Sequence, residues 1–155
     1  MYKQTLKFNL PEGWKVDFHL EEVEDEEMGT SMFEEYDILP ENDKLFSRIC
    51  VSKTTDGDPV GPEELLSYEA EEYLGNLNIP DSVRPSVEEF IKRCQIGGKE
   101  AYYCVYQETG DASAVIRIVF DDMYEAVFVN AEIKDWEEGA GEVQAIDFLS
   151  GFFAF

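Results

Sequence analysis

Residues 90 to 107, Phe90-Ile91-Lys92-Arg93-Cys94-Gln95-Ile96-Gly97-Gly98-Lys99-Glu100-Ala101-Tyr102-Tyr103-Cys104-Val105-Tyr106-Gln107, read as a β-hairpin closed by two glycines. A two-residue hairpin loop needs positive φ, which glycine reaches without strain. With Gly97-Gly98 as the loop, Ile96 faces Lys99, Cys94 faces Ala101, Lys92 faces Tyr103 and Phe90 faces Val105. Alternation then places Phe90, Cys94, Ile96, Ala101, Tyr103 and Val105 on one face, and Ile91, Arg93, Tyr102, Cys104 and Tyr106 on the other.

Downstream of the hairpin, Ala114–Phe120 and Tyr124–Asn130 are nearly continuous apolar runs joined through Asp121-Asp122. Such runs suit central strands covered on both faces. Gly141 to Ser150 then reads as a helix with Val143, Ile146 and Leu149 as its buried stripe, followed by Phe152-Phe153-Ala154-Phe155, a tail expected to pack rather than fray. Upstream, Gly61-Pro62 opens a helix, since proline suits the first helical position. Leu66, Ala70, Tyr73, Leu74 and Leu77 recur there at helical spacing. The predicted strands are 6–10, 14–20, 46–52, 87–96, 99–107, 113–120 and 123–133, with a further short one at Met32–Leu39 and with helices at 62–77 and 141–150. The sum is an α+β fold with a mainly antiparallel sheet. Val87, Phe90, Ile91 and Cys94 would also suit a helix, which leaves the start of the 87–96 strand open.

The chain has 155 residues, 44% of them hydrophobic and 14% aromatic. That is the size of one domain, 1–155, with ample material for a core. No stretch approaches the roughly 20 apolar residues of a membrane-spanning helix, and the start has no apolar run of signal-peptide length. Cys50, Cys94 and Cys104 are an odd number without framework spacing, which favours a reducing compartment. The chain is therefore expected to be soluble and cytoplasmic, with its cysteines acting as small apolar residues in strands.

Charge is the largest departure from an average composition: 35 acidic against 12 basic residues, formally −23. A nucleic-acid binder carries a basic footprint, so binding of DNA or RNA is not expected, and docking on an anionic membrane is disfavoured for the same reason. Most of the charge reads as solvated surface. The sharper reading is a surface tuned to a basic protein. Glu21, Glu22, Glu24, Asp25, Glu26 and Glu27 crowd six acids into seven residues. Repulsion makes this an exposed loop or frayed strand end, and the first candidate contact for such a partner.

No stretch of the chain carries a recognisable catalytic constellation. Any Ser-His-Asp or Cys-His pair would have to use His19, the sole histidine, whose parity opposite to Trp14, Val16 and Phe18 points it to solvent. The Asp56-Gly57-Asp58 loop lacks the twelve-residue calcium pattern. Gly97-Gly98 matches neither phosphate-binding glycine fingerprint. Tyr102, Tyr103 and Tyr106 beside Lys92 and Arg93 could line a ligand groove, but cross-strand aromatic packing explains them more simply. No catalytic, metal or cofactor residue is assigned, and no cofactor is expected.

Leu10-Pro11-Glu12-Gly13-Trp14, Ile49-Cys50-Val51-Ser52, Gly97-Gly98-Lys99-Glu100-Ala101-Tyr102 and Ser150-Gly151-Phe152 occur in this order along nearly the whole chain. The pattern resembles the PsbP-like superfamily, which includes the extrinsic P subunit of photosystem II, a Ran-binding nuclear-import factor and bacterial adaptor chaperones. The resemblance implies an α/β/α sandwich, a bacterial branch of that superfamily, and roles in binding and assembly rather than catalysis. It carries over no partner-binding residue, and the Glu21–Glu27 stretch lies outside the shared pattern. The expected function is a non-catalytic protein-binding module, that is, an adaptor, chaperone or toxin-neutralising partner. The alternative is a small-molecule or lipid carrier with a cavity between sheet and helices.

Overall fold

Seven antiparallel strands form a single sheet in the computed structural model, which describes residues 5–26, 29–54, 61–107, 113–122, 125–134 and 140–154. In chain order the elements are β1 (Lys15–Asp25), β2 (Gly29–Leu39), β3 (Phe46–Thr54), α1 (Pro62–Gly75), α2 (Val87–Phe90), β4 (Lys92–Ile96), β5 (Lys99–Gln107), β6 (Ala114–Asp122), β7 (Glu125–Ile133) and α3 (Ala140–Ser150). Across the sheet they run β1-β2-β3-β7-β6-β5-β4. The fold is thus α+β, as the sequence predicts.

The glycine turn closes as expected. Ile96 pairs with Lys99, Cys94 with Ala101 and Lys92 with Tyr103, while Gly97 and Gly98 sit at φ +60° and +83°. Two positive φ values in sequence define the turn whose twist matches that of the flanking strands. The Gly97 N–H also donates to the Ser150 carbonyl at 2.8 Å, which ties the turn to the end of α3.

Alternation along β5 and β6 separates two clusters. Ala101, Tyr103, Ile116, Ile118 and Phe120 belong to the larger core, with Ile49, Val51 and Val129 of the neighbouring strands and Ala145 and Leu149 of α3. Cys104 and Val119 project to the other side of the same strands and meet Leu66 of α1. Of the predicted α1 stripe, Leu66, Ala70 and Leu74 are buried, while Tyr73 is half-buried and Leu77 lies past the helix end at Gly75.

Five expectations need correction. The predicted strand 6–10 is not part of the sheet. Thr5 to Leu10 crosses the larger core as an extended segment, with Leu6 buried and Phe8 making a single bridge to Phe153. An extended chain lying on a sheet shows the same period of two as a strand within it, so alternation cannot separate them. The strand 87–96 starts only at Lys92, because Ser86 caps a one-turn helix by accepting from the Glu89 N–H at 3.2 Å. Phe90 therefore leaves the face assigned to it and packs on Tyr73 and Tyr106, with ring centroids 5.5 and 6.1 Å away. Ser86-x-x-Glu89 is a capping-box signature visible in the sequence.

The third correction concerns α3, where Val143 is 60% exposed while Ala145, Leu149 and then Phe152 are buried. Two residues of helix turn the side chain by about 200°, so Val143 lies opposite Ala145. The fourth is the acidic stretch, of which Glu21 to Asp25 is regular strand rather than loop. Its cross-strand partners carry no charge: Glu21 lies opposite Phe33, Glu22 opposite Met32 and Glu24 opposite Thr30. Acids facing uncharged residues can stay in register, which a run of acids facing acids could not. Likewise β2, expected to be short, extends over eleven residues.

Candidate functional site

Directly paired residues point to the same side of a sheet, so the register defines each face. One row crosses all seven strands as His19, Glu35, Ser52, Phe128, Val119, Tyr102 and Arg93. The next runs Asp17, Asp37, Cys50, Asn130, Arg117 and Cys104. Both lie on the side that α1 covers. Helix α1 packs over β5 and β6, and beyond Phe128 the face turns polar and open.

The step between helix and open sheet forms a groove with two chambers. The larger, about 690 Å³, is lined by Tyr73, Tyr106, Gln107, Asn130 and Glu132 together with Glu69 and Arg117. The smaller, about 380 Å³, is lined by Phe33, Phe128, Glu21, Glu35 and Ser52 together with the same Glu69 and Arg117. Glu69 and Arg117 line both chambers. Arg117 donates through Nε and Nη2 to the two Glu69 oxygens at 2.9 and 2.8 Å. Its guanidinium lies 4.9 Å from the centre of the Phe128 ring. The planar fork is thus held on both edge and face, a geometry lysine could not supply. Across the two chambers, four carboxylates (Glu21, Glu35, Glu69 and Glu132) stand against one guanidinium.

At the rim, Arg48 makes a second bidentate pair, with Asp37 at 2.8 and 2.9 Å. Hydrogen bonding to Arg48 holds the Asp37 carboxyl below the usual carboxylate range, against a smaller opposing effect of burial. Ser52 Oγ donates to Glu35 Oε2 at 2.8 Å.

Of the acids singled out in the sequence, Glu21 is the one among the described residues that lines this groove. Glu22 and Glu24 are exposed and point to the other side of β1, and Glu26 is exposed at the turn. The side chain of Asp25 and all of Glu27 lie outside the described residues, as do Asp56 to Asp58. Alternation splits the acidic run over two faces instead of gathering it into one surface. Of the tyrosines, Tyr103 joins the larger core, while Tyr73 and Tyr106 pack at 4.6 Å and frame the larger chamber. Sequence reasoning missed Glu35, Glu69 and Arg117. A lone cation within the apolar run Ala114–Phe120 was the one available signal, because a charge in a buried strand needs a partner.

His19 is exposed, as its parity predicts. Cys50, Cys94 and Cys104 are free, and burial is the main cause that pushes each thiol from 9.0 up to about 11. The folded chain therefore keeps protons that the unfolded chain loses above pH 9. Their contribution to stability is complete below pH 9 and disappears as pH rises through about 11. We expect a melting temperature that is flat around neutrality and falls above pH 9, together with slow reaction of all three thiols with Ellman's reagent at pH 7.5. Rapid labelling of the folded protein would contradict the burial. Among the described residues no three His, Cys, Asp or Glu side chains converge as a metal site, and no helix is long and apolar enough to cross a membrane. Comparisons with protein-family models, with curated proteins and with solved structures find no match to this chain.

Proposed function

We propose that this chain is a non-catalytic protein-binding module whose acidic surface receives a basic partner, as an adaptor, chaperone or toxin-neutralising protein would. In this reading it is cytoplasmic, and α1 and α3 complete an α/β/α sandwich of the PsbP-like kind. The observation that carries the proposal is the smaller chamber, where Phe33 and Phe128 stand with Glu21, Glu35 and Glu69 on a chain of formal charge −23. Apolar surface beside three carboxylates and one guanidinium, itself paired with Glu69, is the pattern of an interaction site rather than of a reaction centre.

The exposed acids of the β1–β2 end then act at long range. They steer a basic partner towards the surface, and salt screens the effect at a Debye length of ~8 Å. The test neutralises Glu22→Gln, Glu24→Gln, Asp25→Asn and Glu26→Gln together. The partner is one captured at low salt from the source cell and released at moderate salt. The association rate should fall about tenfold or more at low ionic strength, with a flatter dependence on salt. The melting temperature should stay level or rise slightly as repulsion is relieved. Equal salt slopes for parent and variant would reduce the acidic run to a solvated surface.

The larger chamber supports a second reading, a small polar molecule held by Tyr73, Gln107, Arg117 and Asn130. Its volume lies within the range of small-ligand sites. A carboxylate-lined chamber suits a lipid tail poorly, since burial would desolvate the charges. A ligand of this kind would raise the melting temperature on its own.

A further inference from the structure

We propose that the smaller chamber is the seat of one basic side chain, a lysine or arginine from an extended segment of the partner protein. The inference rests on the binding-module reading above and moves its location from the acidic run as a whole to the groove, which Glu21 of that run lines.

The chamber already contains a template for such recognition. Arg117 lies over Phe128 while Glu69 holds its fork, which shows how a guanidinium is satisfied here by a ring face plus a carboxylate. The second half of the chamber repeats those components with no second cation among the described lining residues. Phe33 is half-buried and supplies the other aromatic surface. Glu35 is anchored through one oxygen by Ser52, and its other oxygen has no partner among the described residues. Glu21 lies opposite Phe33, and His19 lies opposite Glu35. Glu21 and Glu35 are therefore diagonal neighbours about 7–8 Å apart on the same face, a span that one ammonium or guanidinium bridges.

Charge points to the same occupant. Three carboxylates in this chamber face one guanidinium, so an incoming cation moves the balance towards neutrality while an anion worsens it. A purely apolar side chain would cover Phe33 and Phe128 but would strip water from Glu21 and Glu35 without replacing it. A cation with an aliphatic stem satisfies both, with its stem on the rings and its head among the carboxylates.

The test uses fluorescein-labelled, C-terminally amidated hexalysine, measured by fluorescence anisotropy at 150 mM salt. Four proteins are compared: the parent, Phe33→Leu, Phe33→Leu with Glu35→Gln, and a variant of the acidic run carrying Glu22→Gln, Glu24→Gln and Glu26→Gln. Non-specific attraction ranks these by charge removed, so the triple variant should then suffer most and Phe33→Leu not at all. A seated cation gives the opposite order. Phe33→Leu should lose about fivefold in affinity although it removes no charge. The double variant should lose tenfold or more, and the triple variant less than threefold. Melting temperatures confirm that each variant folds. If the double variant does not, Phe33→Leu and Glu35→Gln alone carry the comparison. The charge-ranked order would overturn the seat in the groove and leave the basic-partner reading standing. Failure of the parent to bind hexalysine even at 20 mM salt would overturn both.

Discussion

Glu34→Ala should lower the melting temperature by about 10 °C, one of the two large structural effects we expect. Glu34 and Lys53 are charged residues almost fully buried, at 3% and 4% exposure, and they face one another across β2 and β3. The Thr5 hydroxyl links them. Lys53 Nζ donates to Thr5 Oγ1 at 3.0 Å, and Thr5 Oγ1 donates to Glu34 Oε2 at 2.6 Å. Glu34 Oε1 accepts from the Thr5 N–H and from the Tyr36 hydroxyl, both at 2.9 Å, while Tyr36 accepts from the Leu6 N–H at 3.1 Å. Burial is the main cause that raises the Tyr36 phenol above its ordinary value, so it stays a donor to this carboxylate throughout the neutral range.

Removing the carboxylate therefore takes the acceptor from three donors, the Thr5 N–H, the Thr5 hydroxyl and the Tyr36 hydroxyl, and breaks the Thr5 bridge between Glu34 and the buried Lys53 ammonium. Loss of one member of a buried charged pair costs about 3–5 kcal/mol. At roughly 2–4 °C per kcal/mol for a chain of this size, that gives the expected shift. Hydrogen exchange provides a local readout, because the Thr5 and Leu6 amides should lose protection before the sheet does. A Glu34→Ala protein melting within 2 °C of the parent would show that the network is not coupled to folding. Thr5→Val should reproduce much of the loss, since it breaks the same bridge from the other side.

Phe152→Ala is the second expected large effect, at about 3–5 kcal/mol. Phe152 is 1% exposed and touches four other rings, with centroids 5.2 Å from Phe8, 6.2 Å from Trp14, 5.3 Å from Phe148 and 5.8 Å from Phe153. It joins the two ends of the described chain. The Asn9 N–H donates to the Phe152 carbonyl at 2.7 Å, and the Ala154 N–H donates to the Lys7 carbonyl at 2.9 Å. The resulting cavity would lie between the extended entry segment and α3, where neither can close it without giving up these backbone bonds. Val143→Ala is the internal control. On the exposed face of α3 it should change stability by under about 0.5 kcal/mol. Equal losses from the two substitutions in a denaturant titration would mean that the helix is phased as the sequence reading had it.

The sequence by itself determined the elements whose signal is local. Gly97-Gly98 demanded a particular turn, and that turn imposed the register of β4 on β5, because only glycine accepts two positive φ values in succession without strain. The stripe Leu66-Ala70-Leu74 placed α1 for the same reason, since helical periodicity is written in neighbouring residues. The composition also set the formal charge of −23, whatever the fold. The tertiary structure alone decided the rest. Thr5–Leu10 and a true strand share one alternation, and only the availability of a sheet edge separates them. Whether Glu21 belongs to an acidic tip or to a groove depends on Phe33 across the hairpin, on Ser52 and Phe128 two strands further in, and on Glu69 of a helix 48 residues before Arg117. Contacts of that separation leave no trace in local periodicity. The candidate site exists because α1 covers only one part of the sheet face, and that limit is set by packing between distant segments.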